Sequence, residues 1–298
     1  MVRQYKIHTN LDGTDDKIWD VTNGKVRFYQ PSNLGLQSTN NIWQSNGVGV
    51  MGTRSITQPQ IEFKLETFGE SLSENYQLMK DFVNDILNKK FVTLEYQTEI
   101  FQVYADLALA DVTKTEGYGK NGTFSEKITF DIITKWYTYE NLTFDMIRNG
   151  KVIAGKSKIY GGIAPGDYKY IKGTSYTYYG ESNIERLSRW DIKDEIFSFM
   201  GILYPKLPKT PTGVRFLDDI GNEYTAIVFK TEESQDYILI NTDVNDETYQ
   251  GWRGTTALNL FPVMDFERYR TRIIEKGQME LINLSKAEFK VKRKAVFV

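Results

Sequence analysis

Runs in which apolar and polar residues alternate one for one recur along this 298-residue chain, and they restrict it to a mainly β fold. In Ile61–Thr67 the residues Ile61, Phe63 and Leu65 share one face. Val92, Leu94 and Tyr96 do the same in a later run, followed by Phe101, Val103, Ala105, Leu107 and Leu109. Successive side chains of a strand point to opposite faces, so a one-residue slip in register would turn each of these apolar groups to water. The intervening residues are polar or charged, which suits sheets with one solvated face rather than the continuous apolar strands of a parallel α/β sheet. Aromatic residues make up 14% of the chain, with 19 Tyr and 17 Phe, and favour the same half-buried strands.

One segment breaks the period. Ser71 followed by Glu74 reads as a capping box, and Leu72, Tyr76, Met79, Val83 and Ile86 follow at spacings of four and three, predicting a helix over 71–89. Further extended runs cover 25–29, 190–203, 224–230, 237–241, 279–284 and 287–296, with a Pro-rich connector at 204–211 and a Gly-rich loop at 45–52. The turn-rich stretch 116–122 makes 107–134 one long hairpin, its polar arms 113–116 and 123–127 projecting past the sheet. Between 149 and 180 the texture changes to Gly and Tyr with few aliphatic residues. An arm-like insertion at about 145–182 is the expectation, with Tyr160, Tyr168, Tyr170, Tyr176, Tyr178 and Tyr179 as its partner-binding residues. The alternative is that these tyrosines form strand faces of a second core. The length fits two domains, and one large β domain also fits.

Lys and Arg total 37 against 39 Asp and Glu, so the net charge of -2 provides no long-range positive field for nucleic acid or an anionic membrane. With no cysteine, disulfide scaffolds, thiolate zinc sites and cysteine nucleophiles are ruled out together. No run approaches the roughly 18 apolar residues that cross a bilayer, and the first 16 residues lack the apolar core of a signal peptide. The expectation is a soluble protein made in a reducing cytoplasm.

His8 is the only histidine, and no G-x-S-x-G turn accompanies it, so it reads as a surface or interface residue rather than a catalytic base. Asp218 with Asp219, or Asp243 with Asp246 and Glu247, are the carboxylates a glycosidase would need; acidic pairs flanked by Gly and Asn, as in 217–222, are more often turn residues that accept backbone hydrogen bonds. The acidic run Asp12 to Asp16 lacks the spaced ligands of an EF-hand, and the Gly47/Gly49 and Gly117/Gly119 pairs precede no helix that would present an N-terminus to phosphate. In the basic end, Lys290, Lys292 and Lys294 alternate with Phe289 and Val291, as the lining of a DNA channel or as a solvated strand face that discourages edge pairing. No catalytic, metal or cofactor-binding set emerges.

The opening MVRQYKIHTNLDGTDD, residues 41–47 (NIWQSNG), 74–82 (ENYQLMKDF), the long hairpin, the Tyr-Gly stretch 168–180 and the closing segment from Asp265-Phe-Glu-Arg-Tyr-Arg to Val298 resemble the distal tail proteins (Dit) of long-tailed phages, specifically the lactococcal siphophage type. The resemblance covers essentially the whole chain. It implies a tail-tube-like β-sandwich with one flanking α-helix over 1–138 and a galectin-like or carbohydrate-binding-like β-sandwich over 139–285 that carries the arm; the strand pattern of 287–296 and the usual closeness of chain termini add the expectation that 286–298 completes the first domain. It also implies a virion protein of the tail tip or baseplate, without enzymatic activity or cofactor. The first domain would close into a homo-hexameric ring through which DNA passes without sequence-specific binding. Other implied partners are receptor-binding protein trimers on the arm, the major tail (tube) protein, the tail-associated tip protein and the tape measure protein. In this setting the long hairpin is the candidate ring-assembly element, with Phe124 and Ile128 on the face expected to be buried. The competing reading is a carbohydrate-binding module or cell-wall glycosidase acting on host saccharide, for which Trp252 is the best lone sugar-binding candidate.

Overall fold

In the computed structural model, which describes residues 3–35, 37–57, 60–114, 119, 122–144, 147–148, 151–152 and 189–295, the alternating runs become strands of two units. One unit is Met1–Thr138 with Ala295–Val298 and the other is Tyr139–Lys294. Among the described residues no helix is long and apolar enough to cross a membrane.

The first unit runs β1 (Gln4–His8), β2 (Ile18–Asp20), β3 (Val26–Ser32), β4 (Gln37–Ser45), β5 (Val48–Thr57), β6 (Ile61–Thr67), α1 (Leu72–Leu87), β7 (Val92–Gln97), β8 (Gln102–Thr113) and β9 (Ser125–Ile132). Antiparallel pairing gives the order β3-β6-β9-β8-β7-β1-β2; among the described residues β4 and β5 pair only with each other. Strand β6 buries every second residue, and Ile61, Phe63 and Leu65 meet Ile7, Phe28, Leu94, Leu107 and Phe130 in one core. The Phe28 and Phe63 rings stack at 4.6 Å. Each such fully buried side chain stabilises the fold by about 1.5–3 kcal/mol.

Helix α1 begins where its cap predicts: Ser71 Oγ accepts from the Glu74 amide at 3.2 Å, and Glu74 reaches back to the Glu70 amide at 2.8 Å. Its buried face agrees with the predicted one at Met79, Val83 and Ile86 and differs from it in the first turn. Leu72 and Tyr76 are exposed, whereas Phe82 and Ile86 are buried and Leu78, Met79 and Val83 pack against the core. Asn75, also buried, occupies the turn where Tyr76 was expected; its carboxamide bonds the Gly69 amide at 2.6 Å and the Ser71 carbonyl at 3.0 Å. The inward stripe thus runs one residue off the Tyr76 position because the first turn is held by a polar clasp.

Strands β8 and β9 form the predicted long hairpin, with Leu107 opposite Ile132 and Thr113 opposite Lys127. Its returning polar arm does not project: Ser125, Glu126 and Lys127 lie opposite Glu66, Leu65 and Lys64 of β6, so it is an interior strand. The projecting hairpin lies elsewhere. The predicted Gly-rich loop 45–52 is instead the turn and outgoing strand of β4–β5, with Asn46 and Gly47 at positive φ (51° and 78°), the type I′ geometry that matches strand twist.

The second unit contains β10 (Tyr137–Phe144, entering it at Tyr139), the short pair β11 (Ile147–Arg148) and β12 (Lys151–Val152), then β13 (Arg189–Ile192), β14 (Ile196–Pro205), β15 (Thr212–Leu217), β16 (Glu223–Phe229), β17 (Tyr237–Asn241), β18 (Thr248–Arg253), β19 (Thr256–Asn259), β20 (Gly277–Ile282) and β21 (Leu284–Lys294). One sheet runs β10-β21-β14-β17-β18-β19 and the other β13-β20-β15-β16. Phe199, Ile238, Ile240, Phe289 and Val291 of the first sheet share a core with Val214, Phe216, Ile227, Phe229 and Met279 of the second, which makes a two-layer sandwich.

The expected completion of the first domain by 286–298 is corrected here. Strand β21 pairs with β14 along its length, and Ala287, Phe289 and Val291 belong to the second core. Only at Ala295, whose amide donates to the Trp136 carbonyl at 2.8 Å, does the chain rejoin the first unit. Alternation correctly marked β21 as a strand but carried no information on which core its apolar face enters.

Candidate interaction surfaces

The polar groups that sequence reasoning weighed for chemistry are held in structural roles. His8 ends β1, with Nδ1 2.6 Å from Asp16 Oδ2 and Nε2 2.8 Å from Glu95 Oε2; Glu95 Oε1 accepts from Lys6 Nζ at 3.0 Å. Register produces this set, because Lys6 of β1 lies opposite Glu95 of β7. His8, expected at the surface or an interface, is buried within the first unit, and both ring nitrogens are engaged in fastening the β1–β2 loop to the sheet. Burial alone would push the Glu95 carboxyl up, but hydrogen bonds from His8 and Lys6 outweigh it and hold it below its ordinary value. In the same loop Asp16 accepts from the Asn10 amide at 2.9 Å and Asp15 pairs with Lys89 at 3.0 Å.

Of the nominated carboxylates, Asp218, Asp243, Asp246 and Glu247 are occupied in the same way. Asp218 Oδ1 accepts from the Ile220 and Asn222 amides at 3.1 and 2.7 Å, closing a turn. Asp243 is buried against Lys292 at 2.8 Å, Asp246 takes Asn241 at 3.2 Å, and Glu247 takes the Tyr249 hydroxyl at 2.8 Å and Arg272 at 2.7 Å. Among the described residues no three His, Asp or Glu side chains gather to hold a metal. The lysines of β21 are not one free basic face: Lys292 is in that buried pair, Lys290 lies 3.9 Å over the Tyr139 ring and Lys294 meets Glu195 at 3.4 Å. Trp252 stacks on Tyr237 across the β17–β18 ladder, with centroids 5.9 Å apart and planes 12° from parallel.

Of the two residues singled out for ring assembly, Ile128 is fully buried opposite Phe63 and Val112, inside the first unit's own core. Phe124 is half-buried; its amide donates to Thr67 Oγ1 at 3.1 Å and its ring lies 6.4 Å from that of Tyr76. Tyr160, Tyr168, Tyr170, Tyr176, Tyr178 and Tyr179 lie outside the described residues, as does most of the predicted arm.

The surface that sequence reasoning missed is the β4–β5 hairpin. Every residue of β4 is exposed, and five large apolar side chains crowd the tip: Ile42, Trp43, Val48, Val50 and Met51, with Trp43 68% exposed. Trp43 lies opposite Val50, and Ile42 opposite Met51. These are successive pairs, so both faces of the ribbon carry apolar groups to solvent. An isolated two-stranded hairpin is marginal in water, and a contiguous apolar patch of this kind marks an interaction site. The Asn46-Gly47 dipeptide between extended residues was the local signal for the hairpin.

Comparison with known proteins places these features in a family context. A family model described as "Distal tail protein, N-terminal domain" matches residues 4–133, and one described as "Dit, C-terminal domain" matches 135–298. The chain is 94% identical over 298 residues to the distal tail protein of Lactococcus phage p2 and 91% identical to that of Lactococcus phage SK1, covering 100% of each. A chain in the solved structure of the phage P2 baseplate in its activated conformation with Ca superposes with a TM-score of 0.80 at 92% identity, both chains fully covered. The crystal structure of SPP1 Dit shares the fold at a TM-score of 0.53 and 10% identity, over 98% of this chain and 99% of that one.

Proposed function

The chain belongs to the distal tail protein family, and we propose that it is a structural hub of a phage tail, forming a hexameric ring that joins the tail tube to the receptor-binding and tip proteins. The observation that carries this reading is the β4–β5 hairpin, whose apolar tip enters no core among the described residues. In a ring, each subunit presents one surface to its neighbour and receives a different one, and a projecting ribbon against a neighbour's flank suits that heterologous contact. Burying Trp43, Val50 and Ile42 there would gain about 1.5–3 kcal/mol per side chain, before the costs of association. The baseplate of phage P2 contains a close relative of this chain, which supports the tail tip as its place of work. On this reading the arm at about 145–182, with its six tyrosines, holds receptor-binding protein trimers.

The test is mass photometry of the purified chain beside Trp43→Ser/Val50→Ser. The parent is expected at six copies of 34.5 kDa and the variant at one. Both side chains lie outside the unit's core, so the melt of the first unit should be unchanged. A parent that stays monomeric at micromolar concentration, or a variant that still forms rings, would overturn the assignment.

A further inference from the structure

We propose that Asn46, at the tip of the β4–β5 hairpin, is a site of spontaneous deamidation, and that the modified hairpin no longer supports assembly of the ring. The consequence for assembly rests on the reading of the chain as a ring subunit; the chemistry at Asn46 does not. In an Asn-Gly pair the glycine nitrogen can reach the asparagine side-chain carbonyl carbon, because no Cβ on the glycine obstructs the approach. Among the described residues the chain has two such pairs, Asn23-Gly24 and Asn46-Gly47. Their settings are opposite. The Gly24 amide donates to the Asp20 carbonyl at 2.9 Å, the Asn23 amide donates to Asp20 Oδ1 at 2.9 Å, and Arg27 Nη2 donates to the Asn23 carbonyl at 3.3 Å. A Cβ placed on Gly24 would lie 2.3 Å from the Asp20 carbonyl oxygen, so the backbone there has little room to rotate. At Gly47 nothing lies within 4 Å of such a Cβ, and Asn46 and Gly47 are both exposed at positive φ. Ser45 opposite Val48 closes the ladder, and the Gly47 amide has no acceptor among the described residues.

The reaction needs only water. Solvent base removes the Gly47 amide proton, the nitrogen attacks Asn46 Cγ, and the Cγ–Nδ2 bond breaks, so that Nδ2 takes up a proton and leaves as ammonia. Water then opens the cyclic imide, adding its hydroxyl to one carbonyl carbon and returning a proton to the ring nitrogen. Opening at Cγ leaves an aspartyl residue; opening at the main-chain carbonyl carbon leaves an isoaspartyl linkage that runs through the side chain. Either product adds a carboxylate to a ribbon whose only charged side chain over 37–57 is Arg54, itself bonded to Asn40 at 2.9 Å. The new charge sits at the tip that exposes Trp43, Val48 and Val50, where burial against a neighbour would have to strip it of water. The isoaspartyl form also lengthens the main chain by a methylene, which a two-residue turn between Ser45 and Val48 cannot absorb without a shift of register. A newly made chain thus has a limited time in which to bury its hairpin tip.

The experiment ages the purified chain at mildly alkaline pH, diluted until mass photometry counts single copies, and reads Asn46 and Asn23 in one digest by peptide mass spectrometry with isoaspartyl detection. Should the parent not dissociate, the Trp43→Ser/Val50→Ser chain serves for this measurement. Modification of Asn46 is expected to outpace that of Asn23 by about 10-fold or more, the factor set by the one backbone hydrogen bond that Gly24 must first give up. On return to the concentration that gives rings, the ring fraction of the aged parent should fall as the modified fraction rises. Asn46→Gly removes the amide and keeps a pair suited to the type I′ turn, so rings should form from this variant fresh and aged alike. Equal rates at the two asparagines, or normal rings from the modified chain, overturn the proposal. So does the absence of rings in aged Asn46→Gly, which would assign the loss to another lesion. A fresh parent that forms no rings overturns the ring reading and the consequence for assembly with it, while the rate at Asn46 against Asn23 still decides the chemistry.

Discussion

His8 shows how a residue that suggests chemistry can serve packing. Its ring joins Asp16 and Glu95, and side-chain exposures of 6%, 17% and 5% leave little water to replace it. His8→Ala would leave two carboxylates facing a void, and leaving a buried acceptor without its hydrogen-bond partner costs about 1–3 kcal/mol. Urea unfolding of the variant should therefore show a large loss confined to the first unit. The Glu95 carboxyl is held below its ordinary value by His8 and Lys6. Its folded pKa is depressed, so its contribution is complete above the unfolded value and is lost as pH falls through the folded one. Lowering the pH from about 5 to about 3 should reduce the urea midpoint, and Glu95→Gln should flatten that dependence. Ile128 makes a similar point about burial. Ile128→Ala is expected to cost about 2–5 kcal/mol of stability, whereas half-buried Phe124 should cost less. The sequence marked both as apolar, but only the register of β9 between β6 and β8 distinguishes them.

The elements differ in how much of their role is local. Helix α1 was legible from Ser71 and Glu74, because capping is chemistry between residues three apart. Ser71→Ala should cost about 1 kcal/mol, read in the first unit's thermal melt. Its inward face was less legible, since Asn75 is buried by hydrogen bonds to Gly69 and Ser71 that no hydropathy pattern signals. The β4–β5 hairpin carried an Asn-Gly turn signal but not its exposure. Gly47 sits at φ +78°, where a β-branched side chain is strained. Gly47→Val should weaken ring formation in mass photometry and leave the melt of the first unit nearly unchanged, because β4 contributes nothing to that core.

For the whole molecule, the division of the chain makes a prediction that differs from the sequence-based one. Strand β21 supplies Ala287, Phe289 and Val291 to the second core. Truncation after Ser285 should abolish the second unit's calorimetric transition and spare the first, whereas truncation after Lys294 should preserve the second. The sequence by itself determined that the chain would be β-rich, where most of the described strands and helix α1 lie, that residues 107–134 fold back on themselves, and that a chain with one histidine and no cysteine has few routes to catalysis. These features depend on side-chain type and on periods of two and 3.6, which chirality and backbone geometry impose over a few residues. Tertiary structure alone decided that Lys292 meets Asp243, 49 residues away, and that His8 meets Glu95, 87 residues away. It also decided that β21 closes the second core and that β4–β5 closes none. The physical reason is that an alternating pattern states only that one face must leave water. Which partner buries that face is set by the packing of segments far apart in the chain, and a face that finds none among the described residues, as at β4–β5, stays exposed to solvent.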